Sequence, residues 1–439
     1  MSILRMINPV QDYAWGSTTM LSNLRFQAPS AAAQAELWMG SHPRGESRVV
    51  RGRNDELPLR SYLRDRVDAA LGSRALSLLP PGSEAPELPF LLKILTAEKG
   101  LSIQTHPSRE AAASGFEREN REGVPLDAPH RNYRDTNHKP ELICALDDFW
   151  GLRGFRPIDE RTEEMGALLA GLNGDLPPLP GLIESFLNER SWQSWRAVLE
   201  VLIDPESGGI GRSALVERLS ELLARRSGAS NGRDDRYWWC GELLRQFPGD
   251  PGAFAPLYLN LVHLRAGEAM FLEAGVLHAY LYGPGIELMA NSDNVLRSGC
   301  TGKHVDAVEL LRNLSEESAP PEIIRGESSG CGDHIVRRYP TPAREFELLR
   351  VPKADRRHTL AVAKTFGPAV VLAIGGMVVV EADHGSGWGS GSLALAPTES
   401  AFVEHETRTF RLRLSPGAQA FVAGVPDSLG CGSGSGDEE

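Results

Sequence analysis

Along the first third of the chain apolar and polar positions alternate in short runs; a 3.6-residue period then takes over, and alternation afterwards returns. That order predicts a β protein with a block of helices set into it. Residues 1–150 read as short β-rich runs broken by Pro and Gly, such as GluLeuTrpMetGlySerHisPro at 36–43 and LeuProPheLeuLeuLysIleLeu at 88–95. Within them 108–140 is polar: SerArgGluAlaAlaAla opens a short helix, and an irregular loop follows whose length is uncommon in loops without a function. From about 152 to 255 the period is helical, with Leu215, Leu219, Leu222 and Leu223 at i, i+4, i+7 and i+8. Ile183, Phe186, Leu187 and Trp192, then Trp238, Leu243 and Leu244, continue it. Arg225 and Arg226 stand at a helix end, where cations complement the dipole. After ProGlyAspProGly at 248–252, alternation resumes with LeuTyrLeuAsnLeuValHisLeu at 257–264.

The simplest organisation is one β domain, 1–151 and 256–330, interrupted by a helical insertion at 152–255. A helix at 306–314 closes this unit, and a polar Pro/Glu/Ser stretch at 315–330 reads as a linker. Residues 331–428 hold further short strands with frequent turns, among them AlaValValLeuAlaIle and GlyGlyMetValValValGlu, the pattern of a sandwich or jelly roll. Residues 429–439, rich in Gly and Ser, read as a flexible tail.

Composition narrows the functions available. A chain of 439 residues with 41% hydrophobic and 24% charged residues is an ordinary globular protein, large enough for several cores. Its net charge of −12 supplies no basic field for nucleic acid or an anionic membrane, so an anionic ligand must be met by a few placed cations. Apolar stretches are too short to span a bilayer, and the N-terminus lacks the order of a signal peptide, so a cytoplasmic location is expected. The five cysteines are scattered and show no CxxC spacing, which reads as reduced thiols. A bound metal would then use imidazole, carboxylate and amide ligands.

Such ligands are present. In LeuSerIleGlnThrHisPro at 101–107, Gln104 and His106 stand two apart in a β-prone run and face the same way. AsnHisLysProGluLeu at 137–142 adds Glu141. In the segment 267–280, Gly267 and Gly275 precede His278 in a Gly-x7-Gly-x2-His pattern. This resembles one of the two signatures of cupins, small metal-binding jelly rolls, with Glu273 where Pro is usual, and Gln104-x-His106 as a variant of the other. One carboxylate among amide and imidazole donors suits Zn²⁺ better than Ca²⁺. Glu287, Asp293, Arg297 and Lys303 crowd into the apolar segment 285–303, either as a buried ion-pair network or as acid, base and cation around a small anion.

Several motifs in order carry a closer resemblance: TyrAlaTrpGlySer at 13–17, GluLeuTrpMetGly at 36–40, LysIleLeu at 93–95, the runs around His106 and Glu141, and SerAspAsnValLeuArgSerGly at 292–299. Together they resemble the type I mannose-6-phosphate isomerases. The resemblance implies a mainly β fold, with a cupin (jelly-roll) catalytic domain interrupted by an α-helical insertion and followed by a second, cupin-like β domain. It implies one Zn²⁺ per chain on Gln104, His106, Glu141 and His278, an essential Arg297, and roles for Lys93, Ser102, His138, Lys139, Glu287, Asp293 and Lys303. The reaction implied interconverts mannose 6-phosphate and fructose 6-phosphate through a shared enediol, in a monomer that binds a small phosphosugar and neither nucleic acid nor membrane. It would serve sugar nucleotide synthesis or mannose catabolism. Such chemistry needs a base, a cation for the enediolate, a route for ring opening and a phosphate anchor. Arg297, Lys93, Lys139 and Lys303 are assigned to phosphate and oxyanion; Asp293, Glu287 and Lys139 stay open as the base, with His138 or His106 assisting ring opening.

The chain departs from the family pattern at Cys300 and at Gly302, where a larger apolar residue and Pro are usual; Gly302 loosens the backbone before Lys303. A zinc hydrolase lacks support from any HExxH or GxSxG motif, and a non-catalytic sugar-binding cupin would be expected to lose the cluster around Arg297. Trp15, Trp38, His42 and His263 read as structural, and so does the C-terminal block, whose His384 and His405 stand in polar surroundings.

Overall fold

The computed structural model describes residues 3–431, except 53–54, 80–84, 173–178, 207–208, 226–231, 332–333, 354–357, 365–366, 384–387 and 427–428. Arg226, His384 and residues 432–439 of the tail lie outside the described residues.

Three antiparallel sheets make up the β structure. The ten-stranded sheet is organised around His278–Ala290, a 13-residue strand that pairs with Phe90–Ala97, Ile103–Thr105, Glu141–Ala145 and Phe149–Phe155. One strand serves four partners because it bends: its register shifts between Tyr280 and Tyr282, and Gly283 follows at φ +119°. A Cβ on Gly283 would stand 2.5 Å from Asp148 O, so only glycine lets the two strands close here. The bend folds the sheet over and brings the metal-ligand candidates to one end.

The helical insertion forms as its periodicity predicts. Helix Arg212–Ala224 buries Leu215, Leu219 and Leu223, while Leu222 is only partly buried. Ser191 caps helix Trp192–Ile203 through a capping box with Ser194, and Trp195 on that helix packs against Phe155, Phe186 and Tyr258. The last turn of the insertion, Pro251–Leu257, presses on the loop that follows Arg297. A Cβ on Gly252 would meet Cys300 N at 2.8 Å and Gly299 Cα at 2.9 Å, and Asp250 Oδ2 accepts from Thr301 N at 3.2 Å.

A nine-stranded sheet and a five-stranded sheet form the C-terminal sandwich. Strand Ala369–Ile374 is buried along its whole length: Val370 and Leu372 face the ten-stranded sheet with Phe90, Leu92 and Leu288, while Val371 and Ala373 face Val380 and Leu412. A sheet covered on both faces reads as a continuous apolar run, and AlaValValLeuAlaIle is one. The architecture is therefore three stacked layers. Sheet membership also crosses the chain: Ile3–Ile7 pairs with Ser400–Val403, and Arg48–Gly52 and Asp55–Pro58 extend the same sheet. Glu327–Cys331, at the end of the stretch read as a linker, is a strand, and Leu429–Cys431 pairs with His358–Lys364. Cys144, Cys240 and Cys300 are buried free thiols. Among the described residues no helix is long and apolar enough to cross a membrane.

Candidate metal centre and substrate cavity

Three buried donors converge beneath the fold of the long strand. His106 Nε2 lies 3.2 Å from Glu141 Oε1, and His278 Nε2 lies 3.5 Å from Glu141 Oε2. Backbone carbonyls fix both rings, with His106 Nδ1 2.7 Å from Asn294 O and His278 Nδ1 2.9 Å from Val276 O. An Nδ1–H pinned this way leaves the Nε2 lone pair as a ligand. Among the described residues neither Nε2 has a hydrogen-bond partner, and burying such an atom is costly unless something satisfies it. Ligand atoms of a tetrahedral zinc site stand about 3.4 Å apart for bonds near 2.0–2.1 Å, so the donor set fits that ion. Gly275, with φ +82°, makes the turn before His278, and its amide donates to His106 O at 2.9 Å, tying the two histidine segments together.

Gln104 joins this centre to a larger space. Its Cα pairs with that of His278 on one side and of Arg297 on the other. Opposed residues in a ladder project to the same face. Ser102 Oγ donates to Gln104 Oε1 at 3.1 Å. Lys139 Nζ reaches Glu141 Oε1 at 2.8 Å, and Tyr280 OH donates to Glu141 Oε2 at 3.3 Å. Burial pushes the Glu141 carboxyl up, but Lys139 and His106 outweigh it and hold it well below the usual range. Burial, then Lys139, hold His106 down at about 4, a neutral imidazole ready to ligate.

Behind the centre runs the rung Trp38, Lys93, Glu287. Lys93 Nζ lies 2.7 Å from Glu287 Oε2 and 3.3 Å from Glu36 Oε1, and 5.1 Å from the centroid of the Trp38 ring. Burial works to lower the Lys93 ammonium, and the two carboxylates more than reverse it. Lys93→Met should cost about 3–5 kcal/mol, because it strands two buried carboxylates. Urea denaturation checks this; an unchanged midpoint would show the pairing to be dispensable.

Gln104 and Lys139 line a cavity of about 930 Å³, together with Tyr13, Trp15 and Trp38. At another part of its wall Arg44, Arg134, Arg297 and Lys303 gather. Burial, then Arg134 and Arg44, lower the Arg297 guanidinium, and burial, then Arg297, lower Lys303. Among the described residues no carboxylate pairs with Arg297 or Lys303. Among the described residues Arg44 alone of these four cations meets a carboxylate, Asp293, which lies 3.1 Å from Arg44 Nη1 and 3.5 Å from His42 Nε2. Such a wall calls for an anion.

Burial holds His42 down at about 4 from an ordinary 6.5; Asp293 pulls it back up in part, and Lys93, Arg44 and Lys139 add to the lowering. The folded state then binds fewer protons than the unfolded chain between those values, so this contribution is full above pH 6.5 and is lost as pH falls towards 4. Relative to the parent, a His42→Asn variant should therefore gain stability by up to about 1.4 kcal/mol per pH unit as pH falls through that window. Parallel urea titrations read it; a pH-independent difference contradicts it.

The structure thus brings Gln104, His106, Glu141, His278, Lys139, Ser102, Asp293, Arg297 and Lys303 to one centre or its cavity. Lys93 touches the cavity, but its charge is already matched. Glu287 faces Lys93 and does not line the cavity. His138 stands elsewhere than its motif suggested: its Nε2 lies 2.9 Å from Glu345 Oε1 and it does not line the cavity, whereas the adjoining Lys139 does. His42, Trp15 and Trp38, read as structural, line the cavity instead. Arg44 and Arg134 sit on loops without periodicity and carried no signal. Asn294 did lie within a recognised motif; its side chain accepts from Arg134 N at 2.7 Å and donates to Asp135 O at 2.8 Å, so one residue steadies both His106 and a wall cation.

Stacked antiparallel sheets folded over a buried His–Glu–His set define a cupin-type protein. Its family follows from comparison. A sequence model of the phosphomannose isomerase type I catalytic domain matches residues 3–158. The mannose-6-phosphate isomerase of Escherichia coli (strain K12) is 36% identical over 401 residues, spanning 91% of this chain and 94% of that one. The Homo sapiens enzyme is 32% identical over 399 residues, spanning 84% of this chain and 86% of that one. A zinc-bound crystal structure of mannose 6-phosphate isomerase superposes with a TM-score of 0.81 at 32% identity, over 96% of this chain and 99% of the other. The chain belongs to the type I mannose-6-phosphate isomerase family.

Proposed function

We propose that the protein interconverts D-mannose 6-phosphate and D-fructose 6-phosphate through an enediolate, with one zinc ion held by Gln104, His106, Glu141 and His278. The observation that carries the reading is the rung His278–Gln104–Arg297, which joins a buried imidazole whose Nε2 makes no hydrogen bond among the described residues to a guanidinium with no carboxylate partner among them, on one face. Bound there, zinc supplies Lewis acidity or a template for sugar oxygens.

The chain's own groups divide the remaining work. Arg297 and Lys303 hold the phosphate, the guanidinium as a two-pronged donor. Lys139, at the junction of centre and cavity, donates to the enediolate oxygen. Asp293 takes the C2 proton and returns it to C1, while the O2 proton leaves as the C2 carbonyl forms and O1 is protonated. Glu287 is not used as the base, since it faces Lys93. Trp38 and Trp15 wall the cavity against water. On the same reading the catalytic unit is 1–151 with 256–330, the insertion 152–255 and the C-terminal unit 331–428, in a cytoplasmic monomer.

A coupled assay with mannose 6-phosphate tests this. Fructose 6-phosphate should form with zinc-loaded protein, stop on chelation and resume when zinc is returned. No product from the loaded protein overturns the reading, and release of inorganic phosphate would instead mark a hydrolase.

A further inference from the structure

One buried carboxylate outside the cavity touches both segments that lead to metal-ligand candidates. Glu345 belongs to the C-terminal unit, between strands His334–Tyr339 and Glu347–Val351, and is 2% exposed. Its Oε1 lies 2.6 Å from Arg109 Nη2 and 2.9 Å from His138 Nε2, and its Oε2 accepts from Arg344 N at 3.1 Å. Arg109 is three residues after His106, and His138 three before Glu141. Each arm contains a proline, in His106–Pro107–Ser108–Arg109 and His138–Lys139–Pro140–Glu141. A proline ring fixes φ, so holding one end of a four-residue arm restrains the other. The Arg109 arm is stiffened again where Ser108 Oγ accepts from Ala111 N at 3.2 Å, capping helix Arg109–Arg121.

We propose that Glu345 is a positioning residue for the metal centre: from the C-terminal unit it clamps Arg109 and His138, and through them sets His106 and Glu141. The inference rests on the metal reading given above. It gives the C-terminal unit a part in the reaction and gives His138 a use outside the cavity. Burial pushes the Glu345 carboxyl up, but His138 and Arg109 pull it below the usual range, so the clamp is charged at neutral pH.

Zinc release from the loaded full-length chain to a chromogenic chelator tests it, with no substrate present. Removing a group that orients metal ligands typically weakens the site about 10–100-fold, so Glu345→Ala should release zinc faster by about that factor. The control is Glu404→Ala. Glu404 is also a buried carboxylate between N-terminal and C-terminal segments, 2.6 Å from Tyr62 OH and from Arg66 Nε, on a segment that carries none of the candidate metal ligands. It should lose thermal stability and release zinc at the parent's rate. Arg109→Met, at a side chain 39% exposed, removes one arm and keeps the test open should Glu345→Ala not fold; it should also speed release. Release at the parent's rate from Glu345→Ala or Arg109→Met, or equal acceleration in Glu404→Ala, overturns the proposal. A parent chain that takes up no zinc overturns the metal reading along with it.

Discussion

Arg297→Ala should lower kcat/KM for mannose 6-phosphate by about 10²–10³-fold, the 3–4 kcal/mol expected when one partner of a desolvated charge pair is removed. Zinc content should stay at the parent's level. The fold should be as stable as the parent or slightly more so, because the free protein gains little from this guanidinium. Arg297 is half-buried, has no carboxylate partner among the described residues and is crowded by Arg134, Arg44 and Lys303. A cation held at a cost in the free protein, and repaid only by an anionic ligand, is the pattern of stability traded for activity. Steady-state kinetics, metal analysis and urea denaturation on one preparation separate the effects. A variant that keeps its zinc and turns over normally removes Arg297 from the site; one that loses activity by unfolding makes the residue structural.

His278→Ala should abolish zinc binding and activity together, by more than the roughly 10–100-fold loss that follows removal of a supporting residue. The imidazole it deletes is buried, has an unpartnered Nε2 and carries a fixed tautomer, so its burial has no other purpose in view. Neither Glu141 nor Lys139 can replace it, since they already face each other at 2.8 Å. Metal analysis after dialysis against dilute zinc, together with the coupled assay, reads the outcome. Full zinc occupancy in the variant would remove His278 from the ligand set.

Much of this site could be read from the chain because local chemistry and strand geometry agree there. Gln104 and His106 lie in one alternating run, Gly267 and Gly275 announce the turn before His278, and Arg297 sits in an apolar segment where a charge needs a reason. The helical insertion was likewise legible from Leu215, Leu219 and Leu223. What escaped depends on contacts between distant segments. Arg44 and Arg134 lie on loops that only the tertiary fold brings to the cavity, and His42 looks like any core histidine until Asp293 is placed beside it. His138 and Lys139 adjoin in sequence yet diverge in space, so a shared motif assigned both to one cavity. The linker at 315–330 and the tail at 429–439 looked featureless because Glu327–Cys331 and Leu429–Cys431 become strands only when a partner strand is present.

The pairing of Ile3–Ile7 with Ser400–Val403 bears on how the protein is made. A ribosome delivers residues in order, so Ile3–Ile7 meets Arg48–Gly52 early on one edge, while its other edge must wait for nearly the whole chain before Ser400–Val403 exists. Until then one edge of that strand and the outer face of the ten-stranded sheet stay uncovered, the state in which nascent chains aggregate or recruit chaperones. Early termination, even after the candidate metal ligands and Arg297 have been translated, would leave a polypeptide carrying those side chains and lacking the layer that covers its sheet.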